Sequence, residues 1–146
     1  MKYMLDTSIC VYMIKKRPEQ VLQRFMQHDP GTLCISAITL AELEYGIENS
    51  SLSERNRLAL AMFLSGIQIL SFNEAAAEEY GRIRAKLRKA GTPIGANDML
   101  IAAHAKAEGL TIVTNNTKEF DRIEDLEYSG LHDTAVRQNG NRHSGN

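Results

Sequence analysis

The chain has no tryptophan, only two cysteines and only three prolines among its 146 residues. Two cysteines cannot build a disulfide framework, and Cys10 and Cys34 each sit among apolar neighbours. They read as small buried thiols kept reduced. The four histidines, His28, His104, His132 and His143, are scattered singly, so no zinc-ligand spacing exists. Charge of one sign is also missing. The formal net charge is -1, so any contact with a polyanion must come from a local basic patch or through a metal ion. Aromatics make up 6% and form no platform on which bases would stack. No apolar stretch approaches the roughly 18 residues needed to cross a bilayer. Asp6 and the Lys15-Lys16-Arg17 cluster interrupt the N-terminus, so it does not read as a secretory signal. A cytoplasmic protein of one domain, with no membrane partner, is the expectation.

What is present is an alternation. Tyr3-Met4-Leu5, Leu33-Cys34-Ile35, Ile67 to Leu70 and Leu110 to Val113 are short apolar runs that read as buried strands. Segments of helical period lie between them. Ser36 is placed to cap a helix from about Ile38 to Glu48, and Ser53-Glu54 to open another that closes near Gly66. Asn73-Glu74 starts a long helix whose face carries Tyr80, Ile83 and Leu87 before Gly91 stops it. Asn97 is placed to cap a further helix that ends at Gly109. Strands separated by helices predict a three-layer α/β domain with a central, mostly parallel sheet flanked by helices. The domain is expected to span residues 1–128. Residues 129–146, ending NGNRHSGN, read as a polar, weakly ordered tail.

Four acids stand at the edges of the apolar runs: Asp6, Glu42, Asp98 and Glu119. A carboxylate at the margin of a core is costly without a partner. In a parallel α/β sheet, sites form beyond the carboxyl ends of the strands. Asp6 follows the first strand, Glu42 lies a turn into its helix, Asp98 is expected second in its helix, and Glu119 follows the last strong strand. Together they predict one acidic pocket for a hard divalent cation, Mg2+ with Mn2+ as a substitute, held through oxygen ligands. Such a pocket suits phosphodiester hydrolysis, because the cation offsets charge on the reacting phosphate while a free carboxylate orients water. Each acid also has a plainer role. Asp6 would cap a helix from Ser8, Asp98 would complement a helix dipole, and Glu42 and Glu119 would be solvated. Asp121 is set aside as solvated.

Other chemistries fit less well. Asp98 and His104 are six apart on one helix and share no face, so His104 reads as a core or flank residue. A haloacid-dehalogenase-type phosphatase needs a second acid two residues after Asp6, where Ser8 stands. GTPIG lacks the length and lysine of a phosphate loop and reads as a turn. The basic run Arg82, Arg84, Lys86, Arg88 and Lys89 is either a solvated helix face or a track leading a phosphate backbone towards the acids.

The phrases MLDTS, CISAITLAELEYGIE, GTPIGANDMLIAAHA and IVTNNTKEFDRI, in this order over roughly residues 1 to 125, resemble the PIN-domain family and, within it, the VapC-type toxins. The resemblance implies a Mg2+-dependent endoribonuclease that cuts structured RNA, prominently tRNA, and halts translation. It matches Asp6 and Asp98 to the family's metal-binding acids and Glu42 and Glu119 to its further acidic positions. Ser8, Thr114 and Asn116 fall where residues support the metal shell. It also implies a homodimer and a cognate antitoxin. The chain departs from the family in lacking a terminal Trp and in its polar tail. Two other functions share the fold, a catalytically inactive PIN-like binding partner and a flap-type DNA nuclease.

Overall fold

A computed structural model describes residues 3–16, 31–130 and 137–138. Its elements run β1 (Tyr3–Leu5), α1 (Thr7–Lys16), β2 (Leu33–Ser36), α2 (Ala37–Glu48), α3 (Ser53–Leu64) and β3 (Gln68–Leu70). They continue with α4 (Glu74–Ala90), α5 (Ala96–Glu108), β4 (Thr111–Thr114), α6 (Thr117–Phe120), β5 (Glu127–Gly130) and β6 (Arg137–Gln138). The strands form one sheet in the order β3-β2-β1-β4-β5-β6. All pairings are parallel except the antiparallel β5–β6 pair. The three-layer α/β expectation is met.

Alternation along the strands builds the layers. Met4, Cys34 and Ile112 face one way and pack with Ile83 and Leu87 of α4 and Ile101, Ala102 and Ala105 of α5. Their neighbours Leu5, Ile35 and Val113 face the other way, onto Ile9 and Met13 of α1, Leu43 and Ile47 of α2 and Leu60 of α3. Small alanines let α5 lie close against the sheet, and the wholly buried Ile101 fills the space beside them. Cys10 and Cys34 are both buried and free. Burial pushes the Cys34 thiol up to about 12, so both expected inert thiols are in place.

The N-terminal caps follow the sequence in α2 and α4, whereas α3 starts at Ser53 without a side-chain cap and α5 differs. Ser36 Oγ accepts the Ile38 N–H at 3.0 Å, and Asn73 Oδ1 accepts the Ala76 N–H at 3.0 Å. Gly91 and Gly109 close α4 and α5 at φ 71° and 68°, where a β-carbon would be strained. Asn97, however, does not cap α5. The helix starts one residue before it, behind Gly95, and Asp98 is its third residue.

The chain reverses direction across the sheet between β1 and β4, because β2 and β3 extend to one side of β1 and β4 to the other. That switch point opens a crevice at the carboxyl edge. The boundary expected at residue 128 falls inside β5, where Tyr128, Ser129 and Gly130 are buried. Residues 131–136 and 139–146 of the expected tail lie outside the described residues. Among the described residues, no helix is long and apolar enough to cross a membrane.

Candidate active site

Asp6 extends the β1–β4 ladder by one bond, its N–H donating to Val113 O at 3.0 Å. Its side chain is 2% exposed, at the crevice floor. Oδ1 accepts from the Ile9 N–H at 2.8 Å and from Ser8 Oγ at 2.9 Å, and Oδ2 accepts from Thr114 Oγ1 at 2.5 Å. Asp6 therefore caps α1 through Oδ1, while Oδ2 takes the Thr114 hydroxyl. Burial raises its pKa. The bonds from Thr114, Ile9 and Ser8 oppose the rise, and the charge of Glu42 adds to it.

Glu42, half-buried on α2, is oriented by Thr7 Oγ1, which donates to its Oε1 at 2.6 Å. Thr7 Oγ1 also lies 3.3 Å from the hydroxyl of the buried Thr39. The first turn of α1 thus holds one acid by its end and another by its first hydroxyl.

Asp98 and Glu119 meet beside Gly95. A β-carbon at Gly95 would lie 3.7 Å from Asp98 Oδ2 and 4.0 Å from Glu119 Oε1. Glu119 Oε1 accepts the Gly95 N–H at 3.2 Å, and its other oxygen accepts from Asn116 Nδ2. Asn116 is itself fixed by its own N–H donating to Thr114 Oγ1 at 2.8 Å. Asp98 is pushed up to about 7, first by burial, next by its hydrogen bond to Glu119, then by the charges of Glu119, Asp6 and Glu42. Glu119 moves down, chiefly because Asp98 donates to it, with help from Gly95, Arg122 and Asn116. One proton is shared by the two carboxyls, and the more buried Asp98 keeps it.

Asp98 therefore feels the charges of Asp6, Glu42 and Glu119 at the carboxyl edge, and Asp6 that of Glu42, with Ser8 and Thr114 bonded to Asp6 and Asn116 to Glu119. Thr7, Thr39, Gly95 and Arg122 belong to the same site but were not singled out from the sequence. Thr7 directly follows Asp6, and Arg122 lies one turn beyond Glu119, so spacing alone carried a signal for both. Arg122 also donates to Pro93 O at 3.0 Å. With Glu119 it fastens the GTPIG turn that leads into α5. Asp121 is not simply solvated: half-buried, it accepts from the Tyr128 hydroxyl at 2.5 Å.

The basic residues of α4 separate. Arg82 and Lys86 line a groove of about 320 Å³ with Lys106 and Arg122. They pair there with Glu79 at 2.8 Å and Glu124 at 3.4 Å. Arg84 and Arg88 line a different, shallow surface with Lys89.

Among the described residues, no group of three or more His, Cys, Asp or Glu side chains is arranged to hold a metal ion by itself. The donor set still suits a hydrated Mg2+, which takes only one or two carboxylates directly and keeps several waters. The raised, mutually repelling carboxyls of Asp6 and Asp98 are the groups a divalent charge would relieve.

Fold and site together define a parallel α/β domain that gathers carboxylates where the strand order reverses. The chain belongs to the PIN-domain family, whose model matches residues 3–126, and within it to the VapC-type endoribonuclease toxins. It is 48% identical to the tRNA(fMet)-specific endonuclease VapC of Shigella flexneri over 84% of this chain and 92% of the relative. Identity to the ribonuclease VapC2 of Haemophilus influenzae is 50% over the same shares. Among solved structures, the DNA-bound VapBC of Salmonella typhimurium superposes with a TM-score of 0.86 at 43% identity, covering 90% of this chain and 98% of that one.

Proposed function

We propose that this endoribonuclease is Mg2+-dependent, with Mn2+ able to substitute, and that its substrate is structured RNA of the tRNA class. The convergence on Asp98 of the charges of Asp6, Glu42 and Glu119 at one sheet edge carries this reading. Asp6 and Asp98 would hold the ion directly, with Ser8, Thr114 and Asn116 fixing the surrounding oxygens. When bound, the ion supplies charge neutralisation for the phosphodiester under attack.

The protein's own groups do the rest. Thr114, Ser8 and the Ile9 N–H hold Asp6 in one rotamer, so its carboxylate is set before substrate arrives. Thr7 holds Glu42 Oε1, and the other Glu42 oxygen would be left to orient a water. Glu119, held ionised by donors from Asp98, Gly95 and Asn116, would complete the outer shell of the ion beside Asp98. Arg84 and Arg88, with Arg82 and Lys86 on the other side of α4, would bind flanking phosphates.

The tRNA(fMet) named for the Shigella relative and the VapBC complexes among the neighbours support a tRNA target and a cognate antitoxin. A homodimer in the cytoplasm, inhibiting translation when its antitoxin is lost, completes the proposal. The test is cleavage of total tRNA by purified wild-type, Asp6→Asn and Asp98→Asn proteins with and without Mg2+. Cutting that needs Mg2+ and is lost in both variants supports the proposal. Metal-independent cutting, or undiminished cutting by Asp6→Asn, would sink it. RNA left whole by the wild type would make the chain a binding protein instead.

A further inference from the structure

His104 is wholly buried, and nothing in the proposed reaction uses it. It lies on α5, six residues after Asp98, so its ring leaves the helix away from the acid. Its Nδ1 is 2.8 Å from Ser36 Oγ, a bond that joins residues 68 apart in sequence. Ser36 is the last residue of β2 and the cap of α2. Three residues on from it stands Thr39, and six residues on stands Glu42. The bond therefore ties the helix bearing Glu42 to the helix bearing Asp98, at the same edge of the sheet. Phe72, just before α4, meets the imidazole edge-on at 5.4 Å and 76°, which keeps the ring from turning.

Ser36 Oγ already accepts the Ile38 N–H, so its own proton is free to go to Nδ1 of a neutral imidazole. The ring proton is then on the buried Nε2, which has no hydrogen-bond partner of ordinary geometry among the described residues. A buried ring that leaves a donor without a bond loses the solvation of that donor with nothing in return. Leucine would fill the same place without that cost, so packing alone does not account for a histidine.

We infer that Ser36 and His104 are a positioning pair that fixes the separation of α2 and α5, and with it the span between Glu42 and Asp98. This rests on the proposed metal-dependent reaction. Residues that orient a metal's ligands from behind typically change affinity or rate by about 10–100-fold when removed.

The experiment compares wild type, His104→Leu, His104→Asn and Ser36→Gly. Asn returns an amide near the place of Nδ1, and Gly keeps most of the capping preference while removing the hydroxyl. Three quantities are read: kcat and KM for tRNA cleavage at saturating Mg2+, Mn2+ affinity by calorimetry, and thermal unfolding. His104→Leu should lose at least about tenfold in kcat and in Mn2+ affinity with KM within about twofold, and His104→Asn should recover most of both. Wild-type kcat and Mn2+ affinity in His104→Leu would overturn the inference. So would equal impairment of His104→Leu and His104→Asn at matched unfolding temperature, because the ring's shape rather than its bond would then matter. Should His104→Leu not fold, Ser36→Gly decides: the same kcat loss sustains the pair, and wild-type kcat refutes it. A wild type that binds Mn2+ but cuts no RNA refutes the nuclease proposal alone, and the affinity contrast still decides this one. A wild type that binds no Mn2+ refutes both.

Discussion

Thr114 Oγ1 donates to Asp6 Oδ2 at 2.5 Å, across two adjacent parallel strands and 108 residues of sequence. The same Thr114 oxygen accepts the Asn116 N–H, so one hydroxyl aligns the floor of the site with the loop that carries Glu119. Thr114→Val keeps the shape and removes both bonds. A hydrogen bond to a charged group contributes about 1.5–3 kcal/mol, so Mn2+ affinity should fall at least about tenfold. The urea midpoint should fall as well, because a buried carboxylate loses a donor. Calorimetry with Mn2+ checks this, and unchanged affinity would show that Asp6 needs no such support.

The shared proton of Asp98 and Glu119 makes stability depend on pH in metal-free protein. Asp98 titrates near 7, above its ordinary 3.8, first because it is buried. A raised carboxyl stabilises the fold fully below its unfolded pKa and loses that contribution as pH rises through the folded value. Asp98 therefore costs stability between about pH 4 and pH 7. Glu119, shifted down, acts in the opposite sense and softens the change. Metal-free protein should unfold more easily at pH 7.5 than at pH 5.5, Asp98→Asn should flatten that limb, and Mg2+ should restore more stability at the higher pH. Urea titrations at the two pH values decide it.

The four acids were legible because each ends or borders an apolar run, and apolar runs locate the strands of a buried parallel sheet. Strand β5 was not legible. Its Glu-Tyr-Ser-Gly has one large apolar residue, and it forms because β4 offers a free edge to Tyr128, Ser129 and Gly130. Asn97 misled for a local reason. Gly95, without a β-carbon, sits beside two carboxyls and gives its N–H to Glu119, so the helix starts before Asn97. The basic run on α4 looked continuous in sequence. A helix turns alternate residues to opposite sides, which is why Arg82 and Lys86 part from Arg84 and Arg88.

His104 should limit stability on the acid side. Burial lowers its pKa, with Glu108 and the Ser71 carbonyl opposing. A depressed histidine contributes stability above its ordinary 6.5 and loses it as pH falls through the folded value. Protonation also turns the Nδ1 acceptor into a donor and reverses the bond with Ser36. Between pH 7 and pH 5 this loss opposes the gain from Asp98, so acid should stabilise wild-type protein less than it stabilises His104→Asn. Parallel acid limbs in the two proteins would place the loss elsewhere.

The two sides of α4 should contribute unequally to RNA binding. Arg82 and Lys86 are paired with Glu78, Glu79 and Glu124, so their charge is largely offset where it stands. Arg84 contacts only the Tyr80 hydroxyl and ring, and Arg88 has no acidic partner among the described residues. Phosphate contacts add to the salt dependence of binding by close to one counterion each. The double change Arg84→Ala with Arg88→Ala should raise KM for tRNA several-fold and lower the slope of log affinity against log salt by about 1–2, leaving kcat unchanged. Arg82→Ala with Lys86→Ala should change the slope by less than half as much. Exposed ion pairs contribute under about 1 kcal/mol, so neither double variant should lose its fold. Binding isotherms at several salt concentrations, on an Asp98→Asn background that does not cut the RNA, separate the two sides. Equal slopes for the two variants would mean that the acids on α4 do not offset their neighbours, and that both sides face the RNA.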